Sequence, residues 1–439
     1  MLHSHRLTTP TRNVLATPCI LSCRPINTIV VEKDKIISQS YDGASVMRGE
    51  HKGVQKLVKD RFPFAHYVHC YAHQLNLILS NVSSIITKVR IFFANLSAFS
   101  SFFSMSPKRT AVLQSLATSR LPRPSATRWN FRSRLVNTVF EKWRALIECF
   151  TVISERTDFD NVSLHSAIGL RKLLCDDAKS LCFSFFFNAL MMHVDILSAQ
   201  LQRKDSDPVS VRNNTVDFSR AIEVLRSNIH DIWTRLHDEI VFEPVYRESE
   251  SCKSNCLSAA EKVCELTIAE CKKRFDFCAH LSAAQLVSSA RFADFNRFPE
   301  NYRYLDETVE SYPFLKKEKL RSELKVLYER PDLQKSSGTM GIFNFIVRIS
   351  GLEKCFSETC TLLQIILTIP MSTAEAERCF STLKRVKTFL RNSMADSRMN
   401  ALAMLSIEKD MIRHTSDFNE KVINVFQTLK ERRAEFSNK

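Results

Sequence analysis

At 439 residues the chain exceeds what one hydrophobic core ordinarily serves, so two or three structural units are expected. Seven Gly and 13 Pro against 44% hydrophobic residues leave turn signals too sparse for an all-β fold, and long helices are expected instead. The formal charge is +15, and it is concentrated: between Gly43 and Phe150 stand 16 Lys and Arg against 4 acids, a net of +12. That is the footprint of a phosphate-backbone binder, with a soluble basic surface as the plainer reading.

The fourteen Cys show no paired Cys-x-x-Cys spacing, which excludes a disulfide framework and fits thiols kept reduced inside a cell. No apolar run approaches the twenty or so residues that span a bilayer, so neither membrane insertion nor a membrane partner is expected.

In chain order, residues 1–31 hold no Asp or Glu and are broken by Pro10, Pro18 and Pro25, which makes them an atypical, unstructured opening segment. Lys35 to Asp42 reads as a short strand that ends in a carboxylate and is followed by Gly43. Asp42 has two readings here: a turn former bonding its own backbone, or a carboxylate shown to a ligand at a strand end. A helix through Gly49–Asp60 and a strand around Ala65–Val68 follow. Tyr71, Leu75, Ile78, Val82, Ile85, Val89 and Phe92 then recur four and three apart, which predicts one long amphipathic helix. At its start Cys70 and His73 share a face; zinc would need two further ligands, and no second pair stands at a finger-like spacing. Pro107 to Pro124 is expected to be a basic linker. In the Arg128-Trp129 pair, the Trp either stacks on a base beside its arginines or opens a helix into the core.

From about Asn130 to Arg348 the sequence reads as helix after helix. Phe218, Ile222, Leu225, Ile229, Ile232 and Leu236 repeat without a break, and polar loops are expected at Lys204–Asn214 and Pro244–Ser254. Cys252, Cys256, Cys264, Cys271, Cys278 and His280 are spaced to spread around helices rather than to close on a metal. Pro370 ends the apolar run Leu362–Ile369, and Ser372 with Glu375 makes a capping box that predicts a helix from Thr373. Ala376, Cys379, Phe380, Leu383, Val386 and Phe389 form its apolar stripe, with Glu377 one turn inside. That carboxylate is solvated, held by the helix dipole, or presented to a metal. Two more amphipathic segments follow, Met399, Leu402, Leu405 and Met411, then Phe418, Val422, Val425 and Leu429.

Four blocks, in this order, carry a resemblance. They are Ser40-Tyr-Asp-Gly-Ala-Ser-Val-Met-Arg-Gly49, His69-Cys-Tyr-Ala-His-Gln-Leu-Asn-Leu77, Ser125-Ala-Thr-Arg-Trp129 and Ile369-Pro-Met-Ser-Thr-Ala-Glu-Ala-Glu-Arg-Cys-Phe-Ser381, with Leu390-Arg-Asn-Ser-Met394 and Leu402–Asp410 in support. The chain thereby resembles hAT-family DNA transposases and the host proteins derived from them, most of all those in which a hAT body follows MYM-type or similar zinc fingers.

The resemblance implies an α/β fold with dominant helix, in which a truncated RNase H-like core is interrupted by a large all-α insertion domain. Residues 32–125 would be the first part of the core, 126–348 the insertion, and 349–439 the second part with the dimerisation region. It implies that Asp42 and Glu377 are two of three catalytic carboxylates that hold two divalent ions, Mg2+ or Mn2+. It sets Cys70, His73, Arg128 and Trp129 toward DNA, and Phe380, Leu383, Leu402 and Leu405 in the pairing of protomers. The first Asp and the zinc finger, which the resemblance places upstream of Asp42, are expected to be missing: residues 1–31 hold no carboxylate, and Glu32 and Asp34 stand too close to Asp42 to leave room for the opening strands. The expectation is a catalytically inactive, nuclear homodimer or higher oligomer that contacts DNA without strong site selection and has no small-molecule substrate. The alternatives are an active or recently active transposase, or a transposon remnant without a selected role.

Overall fold

The computed structural model describes residues 36–428 apart from 119, 123–128, 176–177, 241–249, 276, 278, 296–302, 335–337, 350 and 389–392. The described residues divide into two compact units, 36–372 and 373–428. Helix dominates both, as the scarcity of turn residues predicts.

In the first unit, β1 (Ser38–Tyr41) and β2 (His66–His69) pair in parallel, with Ser38 opposite His66 and Tyr41 opposite His69. A parallel pair needs a crossover. Here it is a single helical turn, Ser45–Arg48, followed by the helix Val54–Arg61. The buried Gln39 side chain pins this crossover by donating to the carbonyls of Gln55 (3.0 Å) and Ala65 (2.7 Å). Between the two helical pieces the backbone folds so tightly that a Cβ on Gly53 would lie 2.4 Å from the Gly49 carbonyl oxygen, so only glycine fits.

The predicted long helix is two helices, Tyr71–Ile85 and Thr87–Ser104, which meet at 108°. Ile86 leaves the helical region (φ −93°, ψ 106°) and makes the corner. The apolar stripe runs through the corner unbroken because Val82, Val89 and Phe92 all face one core. Phe92 stacks on Phe187 at 5.4 Å, Phe93 meets Phe187 edge-on at 4.9 Å, and Phe99, Phe102 and Phe103 close around Phe150. Each such ring contributes about 1.5–3 kcal/mol by burial.

The expected linker from Pro107 also corrects to a helix, Pro107–Ala117. Ser106 accepts from the Arg109 N–H (3.4 Å) and Pro107 fills the first turn, where its missing N–H costs nothing. Likewise the loop expected at Lys204–Asn214 is cut short by a reciprocal cap between Asp207 and Ser210, which starts the helix Pro208–Ser227. The stripe from Phe218 to Leu236 breaks at Asn228, between that helix and Ile229–Ile240. The second expected loop, Pro244–Ser254, is overrun by the helix Glu250–Arg274, while residues 241–249 lie outside the described set.

Cys182–Leu201 is long and apolar enough by composition to cross a membrane, contrary to the expectation that no run comes near that length, and 61% of it is buried inside this unit. It serves as a core helix. Cys256, Cys264 and Cys271 are likewise buried and pack as small hydrophobes, and burial pushes the Cys264 and Cys271 thiols up to about 12. Cys278 lies outside the described residues.

The second unit comprises the helices Ala374–Val386, Asp396–Ile407, Lys409–His414 and Phe418–Thr428. The helix begins at Ala374, one residue after the predicted start at Thr373, and the Glu375 carboxylate accepts from Arg378 Nε at 2.9 Å. The buried residues here are few and small: Ala374, Cys379, Thr382 and Ala403. Phe389 and Leu429, counted in the predicted stripes, lie outside the described residues.

Candidate functional site

The carboxyl ends of the two parallel strands gather the polar side chains that the sequence singled out in the first unit. Asp42 follows β1 directly; His69 ends β2, and Cys70 and His73 open the helix Tyr71–Ile85. In open α/β sheets this is the end where loops and side chains face ligands.

Asp42 Oδ1 accepts the Ala44 N–H at 3.2 Å, closing a local turn. Gly43 follows with φ +79°, and a Cβ there would stand 2.2 Å from His69 Nε2. The strand end therefore requires glycine both for its conformation and for the imidazole lying against it. His69 Nε2 is 3.2 Å from the Asp42 carbonyl oxygen, and the His69 and His73 rings are 5.7 Å apart. Burial pushes the His69 imidazole below its ordinary range; the bond to the Asp42 carbonyl opposes this, while His73, Arg48 and Arg274 push further down. Burial also pushes the neighbouring Tyr67 phenol up to about 12.

Cys70 is buried, its Sγ 3.9 Å from Ser372 Oγ, and the Tyr71 N–H donates to the Met371 carbonyl at 3.0 Å. These contacts seat the start of the helix against the segment that follows Ile369. Cys70 thus packs, while His73 is half-buried beside His69.

Trp129 lies in the core, 3% exposed. Its indole N–H donates to Ser80 Oγ at 3.0 Å, its backbone N–H to Asn76 Oδ1 at 3.2 Å, and Phe93 meets it edge-on at 5.2 Å. The guanidinium stacked on it belongs to Arg132, at 4.7 Å. Of the two readings of this Trp, its place in this structure is that of a helix-opening core residue. Arg128 lies outside the described residues.

Glu377 is exposed on the helix Ala374–Val386 and belongs to the second unit, whereas Asp42, Cys70, His73 and Trp129 belong to the first. Among the described residues no group of three or more His, Cys, Asp or Glu is placed to hold a metal ion. Within the first unit the groups beside Asp42 at this strand end are the His69 and His73 imidazoles and the Tyr67 phenol, which by themselves do not make a donor set for Mg2+ or Mn2+.

A second polar feature lies on β2 at its other end. His66 Nε2 is 2.8 Å from the Ser311 carbonyl oxygen, His66 and His280 stack at 5.0 Å and 8°, and Tyr312 meets His66 edge-on at 5.2 Å. A groove of about 610 Å³ runs past them, with Lys59, Glu307 and Glu310 also on its walls.

The described apolar positions of the second unit are largely uncovered. Phe380 is 40% exposed, Met404 54%, Leu405 50%, Met411 61% and Val425 57%, with Leu383 and Leu402 half-buried. Four helices that bury only small side chains and present large ones outward have not satisfied their apolar faces within this unit.

Residues 323–411 match the hAT family C-terminal dimerisation region. The match opens on Glu323, a residue 6% exposed whose carboxylate accepts the backbone N–H groups of Thr359 (2.7 Å) and Glu358 (3.3 Å). Glu323 thereby caps the helix Ser357–Thr368, the most buried helix of the matched stretch in the first unit. Phe380, Leu383, Leu402 and Leu405 all fall within the match.

His69, Arg48 and Arg274 join the strand-end cluster without having been singled out beforehand. His69 stood in a quoted block and on the alternating pattern of β2. Arg274 enters from more than two hundred residues downstream, and nothing local signals it.

Proposed function

We propose that this chain is a hAT transposase-derived protein that self-associates through residues 323–411 and acts as a non-catalytic nuclear scaffold with an electrostatic affinity for DNA. The match to the dimerisation region carries this reading, and the exposed Phe380, Met404, Leu405 and Met411 within that stretch supply the apolar surface a partner copy would cover. The non-catalytic part rests on Asp42, whose carboxylate is engaged in its own turn by accepting the Ala44 N–H. DNA affinity rests on the net +12 between Gly43 and Phe150, and such binding would weaken steeply with salt.

The test is molar mass by light scattering on the full chain and on a Phe380→Glu, Leu405→Glu double variant. A dimer that becomes a monomer with unchanged helical circular dichroism supports the reading; a wild-type monomer across the micromolar range overturns it. Divalent-metal-dependent strand cleavage by the wild type, lost in Asp42→Asn, would instead establish an active transposase.

A further inference from the structure

The short 3-10 turn Ser289–Arg291 and the helix Arg303–Ser311 set two arginines on one phenol ring, and Arg212, on the helix Pro208–Ser227, lies within its electrostatic reach. The guanidinium of Arg291 lies 5.0 Å from the centre of the Tyr304 ring and that of Arg303 lies 5.3 Å from it, so two cations share one aromatic ring. Arg291 is fixed there by donating to Gln285 Oε1 at 2.7 Å and by lying over Phe295 at 5.6 Å. Arg303 leans toward Glu307 at 3.4 Å but stays 70% exposed.

Arg212 is half-buried within electrostatic reach of Arg291 and Tyr304, and among the described residues no carboxylate pairs with it and no ring lies under it. Burial pushes its guanidinium down, and the Arg291 charge adds to that. A partly desolvated cation facing a like charge is unfavourable unless an anion completes the arrangement. The Tyr304 phenol is pulled down by its hydrogen bond from Arg291 and by the three arginines, so it too sits in a strongly positive field.

We propose that Arg212, Arg291 and Arg303, with the Tyr304 hydroxyl, form a binding site for a phosphate-type oxyanion. Guanidinium forks match the oxygens of such a group in geometry as well as charge, and donors arriving from three elements suit three oxygens around one centre. Two sources share this chemistry, a free phosphate and a nucleic-acid phosphodiester. The site is separate from the stretch proposed for self-association, because none of its residues falls within 323–411.

The full chain is titrated with inorganic phosphate at constant ionic strength, by calorimetry and by thermal unfolding against chloride, beside Arg212→Gln and Arg303→Gln variants. The expected result is saturable binding of phosphate by the wild type, with affinity lowered tenfold or more by Arg212→Gln and several-fold by the exposed Arg303→Gln. The second arm measures binding of a fluorescent DNA duplex as a function of salt. A salt slope reduced by about one per arginine removed assigns the phosphodiester; lost phosphate binding with unchanged DNA affinity assigns the free ion. The proposal is overturned if both folded variants bind phosphate as the wild type does, or if the wild type shows no response beyond that of chloride. Should Arg212→Gln fail to fold, Arg303→Gln decides alone.

Discussion

Acidification should loosen the contact between β2 and the segment around Ser311, and His280 is the residue to test. Its imidazole is held neutral, down at about 3, first by burial and then by the charges of His66 and Lys59. In the unfolded chain the same imidazole titrates at about 6.5. A folded value below the unfolded one means that the unfolded state takes up the proton first. Stability is therefore fully present above pH 6.5 and is lost as pH falls from there toward 3. Linkage gives a loss of about 2 kcal/mol at pH 5 for this group alone. Glu307 and Glu310, on the same groove, favour the protonated imidazole and Lys59 opposes it, and Tyr67 remains neutral throughout. The assay is urea unfolding followed by circular dichroism at pH 7.5, 6 and 5, on the wild type and on His280→Gln, which cannot titrate. The difference between them should shrink by about 2 kcal/mol over that range. Parallel pH profiles for the two proteins would refute the reasoning.

Three further outcomes follow from single contacts. Glu323→Ala removes the acceptor of one buried and one half-buried backbone N–H group and should cost about 2–3 kcal/mol by chemical denaturation, whereas Glu323→Gln should cost about half of that. Gly43→Ala must place a Cβ against His69 Nε2 at positive φ; a loss of about 1–3 kcal/mol and a shifted His69 ring resonance are expected, and a neutral effect would show that the strand end is looser than described. Trp129→Phe keeps an aromatic ring in the core but removes part of its volume and deletes the bond to Ser80. It should cost about 1–2 kcal/mol of stability with DNA affinity within twofold of wild type, and a tenfold drop in affinity at intact stability would show that the ring serves DNA.

Much of the helical content was readable because an apolar stripe depends only on side-chain period. The same property hid the breaks at Ile86 and Asn228, where the chain turns a corner while both helices still face one core. The helix Pro107–Ala117 was signalled by Ser106 and Pro107, but the weight of Pro and basic residues around it read as a linker. The capping pattern at Ser372 set the start of the helix Ala374–Val386 to within one residue, Thr373 expected and Ala374 observed. Of the strand-end site, Asp42, Cys70 and His73 stood in recognisable blocks, and the clash that makes Gly43 obligatory appears only once β2 lies beside it.

What the sequence by itself determined was local or statistical: dominant helix, a basic first third, a strand ending in Asp42 and Gly43, and a C-terminal stretch whose motif agrees with the matched dimerisation region. The tertiary structure alone decided which side chains share a dielectric environment. Trp129 packs against Phe93 rather than facing solvent, His280 loses its charge to burial beside His66, and Arg212, Arg291 and Arg303 converge on Tyr304 from positions up to ninety-one residues apart. The reason is that propensity and periodicity act over a few residues, while desolvation and Coulomb interactions depend on distances that exist only after the chain has closed on itself.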